Sequence, residues 1–338
     1  MATIKEVAKR AGVSVGTVSN IISQRGTVSP NLRERVLSVI RELDYHPNHF
    51  ARGLKRKHTK MLGMIIPDIT NPFFPQLVRG AEDAALQHGY LLVTFNTDDR
   101  VEREQEVLSV LRSRGVDGIL LTIAHTVGRS LHIERTLEAG VPIVCLDRIP
   151  PRLPVDAVAT DNQKGAEVCI RHLLSIRHRK IAIITGPMDL RTAQDRFEGY
   201  QSALREAKLK PDPDLIAHGD YHLESGYRLA KDFLLRRTRP TALFVSNGMM
   251  ALGVVKALEE TRFRCPHDIA VATFDDLPIA DVFRPRLTAV AQPVYEIGRR
   301  GVELLIQRIE GRLPNKKPIQ ILLDPELKIR ESTGFPGA

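Results

Sequence analysis

From Lys60 onward the sequence repeats one pattern. Short runs rich in Ile, Val and Leu, at 62–66, 90–95, 118–123, 141–146, 180–185, 242–246 and 269–274, alternate with amphipathic stretches of helical period. Strands apolar on both sides must be covered on both faces, and intervening helices supply that cover, so the pattern predicts parallel sheets flanked by helices. The chain of 338 residues exceeds what one core ordinarily holds, which makes two such sheets the expectation. Ligands of doubly wound sheets bind beyond the carboxyl ends of the strands. The informative residues are therefore those that end each run: Asp68, Asn96 to Asp98, Asp147 with Arg148, Asp161 with Asn162, Asn247, and Asp275 with Asp276.

The first sixty residues are of a different kind. They hold 12 Lys and Arg against 4 Asp and Glu, a surplus of 8, whereas the other 278 residues hold 37 against 36. A cationic module attached to a neutral body favours a polyanion, because neutralising phosphates releases condensed counterions. Local pattern makes it a three-helix unit. Thr3 and Glu6 have capping-box spacing, Ile4, Val7, Ala8 and Ala11 form a helical stripe, and Gly12 suits a left-handed turn. Ser14 caps a second helix with Val18, Ile21 and Ile22 inward, leaving Val15, Gly16, Thr17, Ser19 and Asn20 on the other side. Ser29 and Pro30 open a third, with Val36, Leu37, Ile40 and Leu43 as its buried side. Together these predict a helix-turn-helix headpiece over 1–46, whose second helix can enter a major groove.

The wording of the motifs goes further. TIKEVAKRAGVS at 3–14, GTVS at 16–19, RERV at 33–36 and LDYHPN at 43–48 closely resemble the lactose-repressor family of bacterial regulators. NPFF at 71–74, RFEG at 196–199, Ser246 with Asn247, and FDD at 274–276 recur in that family's effector-binding core, so the resemblance spans essentially the whole chain. It implies a core similar to periplasmic sugar-binding proteins, with two doubly wound subdomains joined by three crossovers near Asp161, Gln292 and Asp324. The N-subdomain would comprise 61–161 and 292–324, and the C-subdomain 162–291 and 325–338.

For DNA, the resemblance puts Val15, Gly16 and Asn20 against base edges, with Thr3, Ser14, Thr17, Ser19 and Asn48 at phosphates or in support. Where many members carry arginine, suited to guanine O6 and N7, this chain has Asn20, whose amide pairs with adenine N6 and N7. Segment 47–60 is basic and too polar to fold alone. In the resembled family it is a hinge helix that orders on DNA, which would set Leu54 as a minor-groove wedge and free Arg52 and Lys55 for phosphates. Gly53 weakens such a helix by ~1 kcal/mol. A flexible tether is the alternative.

In the core, effector contacts are expected from Phe73, Phe74, Asp98, Asp147, Arg148, Asp161, Arg196, Asn247 and Asp275. Flat rings, a forked donor and carboxylates suit a sugar or sugar derivative. A sugar acid gripped by Arg196 and a nucleobase stacked on phenylalanine stay open. So do plainer roles: Phe73 in the core, Arg196 paired with Asp195 or Glu198 at the surface, Asp276 capping a turn.

A catalyst or a solute receptor on the same sheets is the competing class. The sequence holds no GxGxxG after a strand, no phosphate-binding GxxxxGK[ST], no GxSxG elbow and no HExxH, and its eleven histidines lack ligand spacing, so neither cofactor nor metal is expected. Sequence neighbours such as Asp98 and Asp99 diverge in direction, poor geometry for paired acid and base work. His172 and His178 read as surface residues. Cys145, Cys169 and Cys265 have no CxxC spacing and read as buried thiols. No run approaches the ~20 apolar residues of a membrane span, and the charged N-terminus lacks a secretory core, so a cytoplasmic location is expected. The 331–338 segment has no leucine heptads to make a tetramer. The expectation is a homodimeric repressor on a pseudo-palindromic double-stranded operator, controlled by a small-molecule effector.

Overall fold

The computed structural model describes residues 2–22, 28–45, 59–124, 130–150, 153–282, 284–313 and 317–334. The chain divides into two compact units, Met1–Thr59 and Lys60–Ala338.

The first unit packs α1 (Ile4–Ala11), α2 (Val15–Ile22) and α3 (Pro30–Glu42) around Val7, Ala8, Ala11, Val18, Ile21, Val36 and Val39. The capping box forms as its spacing predicts: Glu6 N donates to Thr3 Oγ1 at 3.3 Å, and Thr3 N donates to the Glu6 carboxylate at 2.6 Å. Gly12 ends α1 at φ 64°, where a side chain would be strained. Two expectations need correction. Ser29 makes no side-chain cap bond, so Pro30 alone starts α3. Leu37 is exposed, because the inward stripe of α3 runs through Val36, Val39, Ile40 and Leu43 at i, i+3, i+4 and i+7.

The second unit contains two six-stranded sheets of the same order. The first comprises β1 (Met61–Ile66), β2 (Leu91–Asn96), β3 (Gly118–Leu121), β4 (Ile143–Leu146), β5 (Asp156–Thr160) and β11 (Gln320–Leu323), arranged β11-β5-β4-β3-β1-β2. The second comprises β6 (Ile181–Thr185), β7 (Ile216–His218), β8 (Ala242–Val245), β9 (Ala270–Phe274), β10 (Thr288–Ala291) and β12 (Glu326–Lys328), arranged β12-β10-β9-β8-β6-β7. The chain thus changes sheet after Thr160, after Ala291 and after Leu323. The sheets are not wholly parallel: β12 runs antiparallel to β10, since it enters directly from β11 without a helical return.

Both faces of each sheet are covered, as continuous apolar runs require. In the first, Leu62, Met64, Ile66, Leu120 and Val144 pack under α4 (Phe73–Gln87) and α11 (Val294–Ile309). Ile65, Ile119, Leu121 and Cys145 face α5 (Val101–Ser113) and α6 (Leu131–Glu138). In the second, alternate strand residues face α7 (Asn162–Ser175) with α8 (Arg191–Glu206), and α9 (Leu223–Leu234) with α10 (Gly248–Thr261). Helices α4 and α11 cross at backbone contact: a Cβ on Gly80 would lie 2.0 Å from Tyr295 O, and one on Gly298 2.1 Å from Leu77 O. His172 is buried rather than at the surface, because α7 turns it toward the C-terminal segment, where its Nε2 lies 2.9 Å from Thr333 Oγ1. His178 is half-buried, its Nδ1 2.9 Å from Thr241 Oγ1. Cys145 and Cys169 are buried and Cys265 half-buried, all three free.

Candidate effector cleft and nucleic-acid interface

The matching strand orders make positions in the two sheets counterparts of one another. Asp147 follows β4 and Asp275 follows β9. Both adopt left-handed backbone, at φ 65° and 72°, and each donates its N–H at 3.0 Å to the neighbouring strand, Asp147 to Val158 O and Asp275 to Val290 O. That turn aims two carboxylates from opposite subdomains into one cleft, a cavity of about 140 Å³. Phe73 and Phe74, edge to face with centroids 5.1 Å apart, open α4 and form part of its apolar wall.

Arg196 lies in α8, buried, and is not a surface ion-pair partner; Asp195 takes Arg191 instead, at 2.7 Å. Its Nε donates to Asn162 Oδ1 at 2.8 Å, its Nη1 to Ser246 O at 2.6 Å, and its plane lies 3.8 Å from the Phe274 ring centroid. Arg148 is the buried cation of the other subdomain. It donates to both oxygens of Asp99, at 2.5 and 3.3 Å, and to Ile123 O at 2.9 Å. Burial pushes the Asp147 carboxyl up to about 6, against the pull of Arg148 and Arg196. Asn247 caps α10, accepting from Met250 N at 2.9 Å and donating to Tyr221 O at 3.0 Å. Asp275 accepts from Gln292 Nε2 at 2.6 Å and from Gly248 N at 3.3 Å.

Of the nine core residues singled out from sequence, seven line this cavity: Phe73, Phe74, Asp147, Arg148, Arg196, Asn247 and Asp275. Two do not. Asp98 lies outside and pairs with Arg103; with Asp98 and Asp99 both at positive φ, the chain turns so that Asp99 faces the cavity instead. Asp161 is spent as the N-cap of α7, accepting from Lys164 N at 3.0 Å, and its neighbour Asn162 does the work of orienting Arg196. Asp276 does more than cap a turn: it ties the C-terminal strand through Lys328 at 2.9 Å and Arg330 at 2.6 Å. Sequence reasoning passed over Tyr221, Thr192 and Gln292, which also line the cavity. Tyr221 follows β7, only three residues long, and its ring fills the space over Gly186, where a Cβ would sit 2.1 Å from it.

Six buried side-chain atoms find no hydrogen-bond partner among the described residues: Thr122 Oγ1, Asp147 Oδ1, Arg148 Nε, Thr160 Oγ1, Ser246 Oγ and Gln292 Oε1. All six belong to residues at the carboxyl ends of β3, β4, β5, β8 and β10. Thr122 and Ser246, the residues just after β3 and β8, are counterparts in the two sheets.

In the headpiece, Ser14 Oγ accepts from Thr17 N at 3.0 Å and starts α2. Val15, Gly16 and Asn20 are exposed, Thr17 and Ser19 half-buried. A Cβ on Gly16 would meet only Ser14 Oγ, at 3.5 Å, so this face of α2 is open to close approach. Asn48, Arg52, Leu54 and Lys55 lie outside the described residues.

Residues 3–48 match the model of bacterial regulatory proteins of the lacI family, and residues 170–333 that of a periplasmic binding protein-like domain. The ribose operon repressor of Halalkalibacterium halodurans is 36% identical over 98% of this chain and 97% of its own length. The chain belongs to the lacI family. The HTH-type transcriptional repressor PurR of Haemophilus influenzae (strain PittEE) is 35% identical over 98% of both chains. Among solved structures, the lac repressor dimer bound to operator and the anti-inducer ONPF superposes with a TM-score of 0.88, at 27% identity over 99% of both chains. A lacI-family regulator from Enterococcus faecium with bound ribose gives 0.72, at 30% identity over 82% of this chain and 100% of that one. This lacI-family chain is accordingly a DNA-binding transcription regulator, its relatives being repressors and not enzymes. Among the described residues no helix is long and apolar enough to cross a membrane.

Proposed function

We propose that the chain is a homodimeric repressor that works in the cytoplasm on a pseudo-palindromic operator, its affinity set by a single-ring sugar or sugar derivative in the cleft. The observation that carries the effector half is that three of the six orphan polar atoms, Asp147 Oδ1, Arg148 Nε and Gln292 Oε1, belong to residues that line the cleft. A buried polar group without a partner costs about 1–3 kcal/mol. A polyhydroxylated ligand, and the closure of the two subdomains around it, is the natural means of recovering that energy. The modest cavity volume, alternating carboxylates and guanidinium groups, and ribose in the Enterococcus faecium relative support a monosaccharide.

For the DNA half, Val15, Gly16 and Asn20 reach base edges, Thr3, Ser14, Thr17 and Ser19 serve the backbone, and Asn48, Arg52, Leu54 and Lys55 complete the contacts beyond the headpiece. Two copies related by a two-fold axis require half-sites on one side of the duplex. A ligand that prefers one degree of closure shifts the dimer between states of different operator affinity. Selection of bound DNA from a random pool, with and without D-ribose, D-xylose, D-glucose and D-galactose, tests both halves. A recovered palindrome whose yield changes with one sugar supports the reading. Recovery of unpatterned DNA, or a palindrome indifferent to every sugar and responsive instead to a purine base, contradicts it.

A further inference from the structure

The cleft has an imbalance of charge. Five aspartates line it, Asp68, Asp99, Asp147, Asp220 and Asp275, against two arginines, Arg148 and Arg196. An incoming carboxylate or phosphate binds tightly where a guanidinium offers it two parallel N–H groups. Both arginines already spend N–H groups on partners within the protein. Arg148 closes its Nη1–Nη2 fork on Asp99. Arg196 has given its Nε to Asn162, which spends its Nε–Nη2 fork, and one Nη1 hydrogen to Ser246 O, and its flat face rests on Phe274. The backbone amide at the start of α10 would be the other receptor for an anion, and Gly248 N already donates to Asp275 Oδ2. What remains accessible is a set of acceptors and single donors facing aromatic rings, which suits neutral hydroxyl groups.

The geometry points to a cleft that reads the free, uncharged sugar and rejects its phosphate ester and its acid. This inference rests on the sugar reading above. A phosphate monoester brings about −1.5 to −2 charges at pH 7 into a lining that already carries a surplus of carboxylate. The regulator therefore reports the sugar before phosphorylation.

Calorimetric titration of the full chain with paired ligands tests this: D-ribose and D-ribose 5-phosphate, D-glucose and D-glucose 6-phosphate, D-glucose and D-gluconate. At least one free sugar is expected to bind, with its charged partner at least 100-fold weaker. A charged partner binding within tenfold of the free sugar, or more tightly, overturns the inference and leaves the sugar reading standing. Binding by no sugar and no charged derivative overturns the sugar reading, and the inference with it. The variant Asp99→Ser opens the Arg148 fork, and the ratio of ester to sugar affinity is expected to rise at least tenfold. An unchanged ratio in a variant with native circular dichroism refutes the role given to the occupied forks.

Discussion

Asp147 gives the sharpest test of whether the cleft is tuned for a ligand rather than for stability. Its carboxyl is buried, its Oδ1 has no partner among the described residues, and its proton affinity is raised from the ordinary 3.8 to about 6. At ~1.4 kcal/mol per tenfold change, holding this group ionised at neutral pH costs the folded chain about 3 kcal/mol relative to the unfolded one. That figure already contains the attraction of Arg148 and Arg196. Because the folded chain holds the proton more tightly, the contribution is absent only well below pH 3.8, grows as a destabilisation while pH rises from there through 6, and is constant above. The variant Asp147→Asn keeps the shape and removes the charge. With ~2.1 cal/mol/K of unfolding entropy per residue over the 279 residues of the core, 3 kcal/mol corresponds to a Tm about 5 °C higher than wild type at pH 7.5. The difference should shrink to about a third of that by pH 4.5. Thermal unfolding by circular dichroism at steps between these values measures it, and titration with the sugar that binds wild type should show affinity down at least tenfold. A variant less stable than wild type at pH 7.5, or a gain that does not change with pH, would refute the reasoning.

Three further outcomes follow from named contacts. Gly186→Ala forces the Tyr221 ring from a position 2.1 Å from the new Cβ, so effector affinity measured by calorimetry should fall at least tenfold, with a loss of about 1–3 kcal/mol in unfolding free energy. Asp276→Ala leaves Arg330, largely buried, without this carboxylate and releases the C-terminal strand; denaturant unfolding should show a loss of about 3–5 kcal/mol. In selection of bound DNA, Asn20→Ala should relax the preference for adenine at one position of each half-site, worth about 1–3 kcal/mol, while other positions keep theirs; a uniform weakening would remove Asn20 from the base-reading set.

Two sheets and a helix-turn-helix were legible in the sequence because their signals are local: runs of Ile, Val and Leu, a capping box, a glycine after a helix. The cleft was legible where a strand carrying large apolar residues ends in a polar one, as at Asp147, Asn247 and Asp275. It was illegible where one residue of turn geometry decides the direction of a side chain. Asp98 and Asp99 are adjacent and chemically identical, and only the two successive left-handed residues send the second inward. Asp161 has the composition of a ligand but sits where a helix follows the strand at once, so its oxygen goes to Lys164 N. Tyr221 follows a strand of only three residues and Gln292 a strand of Thr, Ala, Val and Ala, so neither strand stands out as a run of Ile, Val and Leu.

The duplication of the sheet explains why the cleft could be found at all. Equivalent strands in equivalent order bring the same backbone device, an aspartate in left-handed conformation just past a central strand, to both walls. The chemistry then departs from the symmetry. On one wall, Asp147 Oδ1, beside Arg148, has no hydrogen-bond partner among the described residues; on the other, Asp275 accepts from Gln292 and Gly248. One carboxylate is thus satisfied before any ligand arrives and the other is not. An uncharged ligand that satisfies Asp147 while touching the opposite wall gains most when the two walls approach, which couples occupancy of the cleft to its closure. A ligand that bound only the satisfied wall would leave that equilibrium where it was.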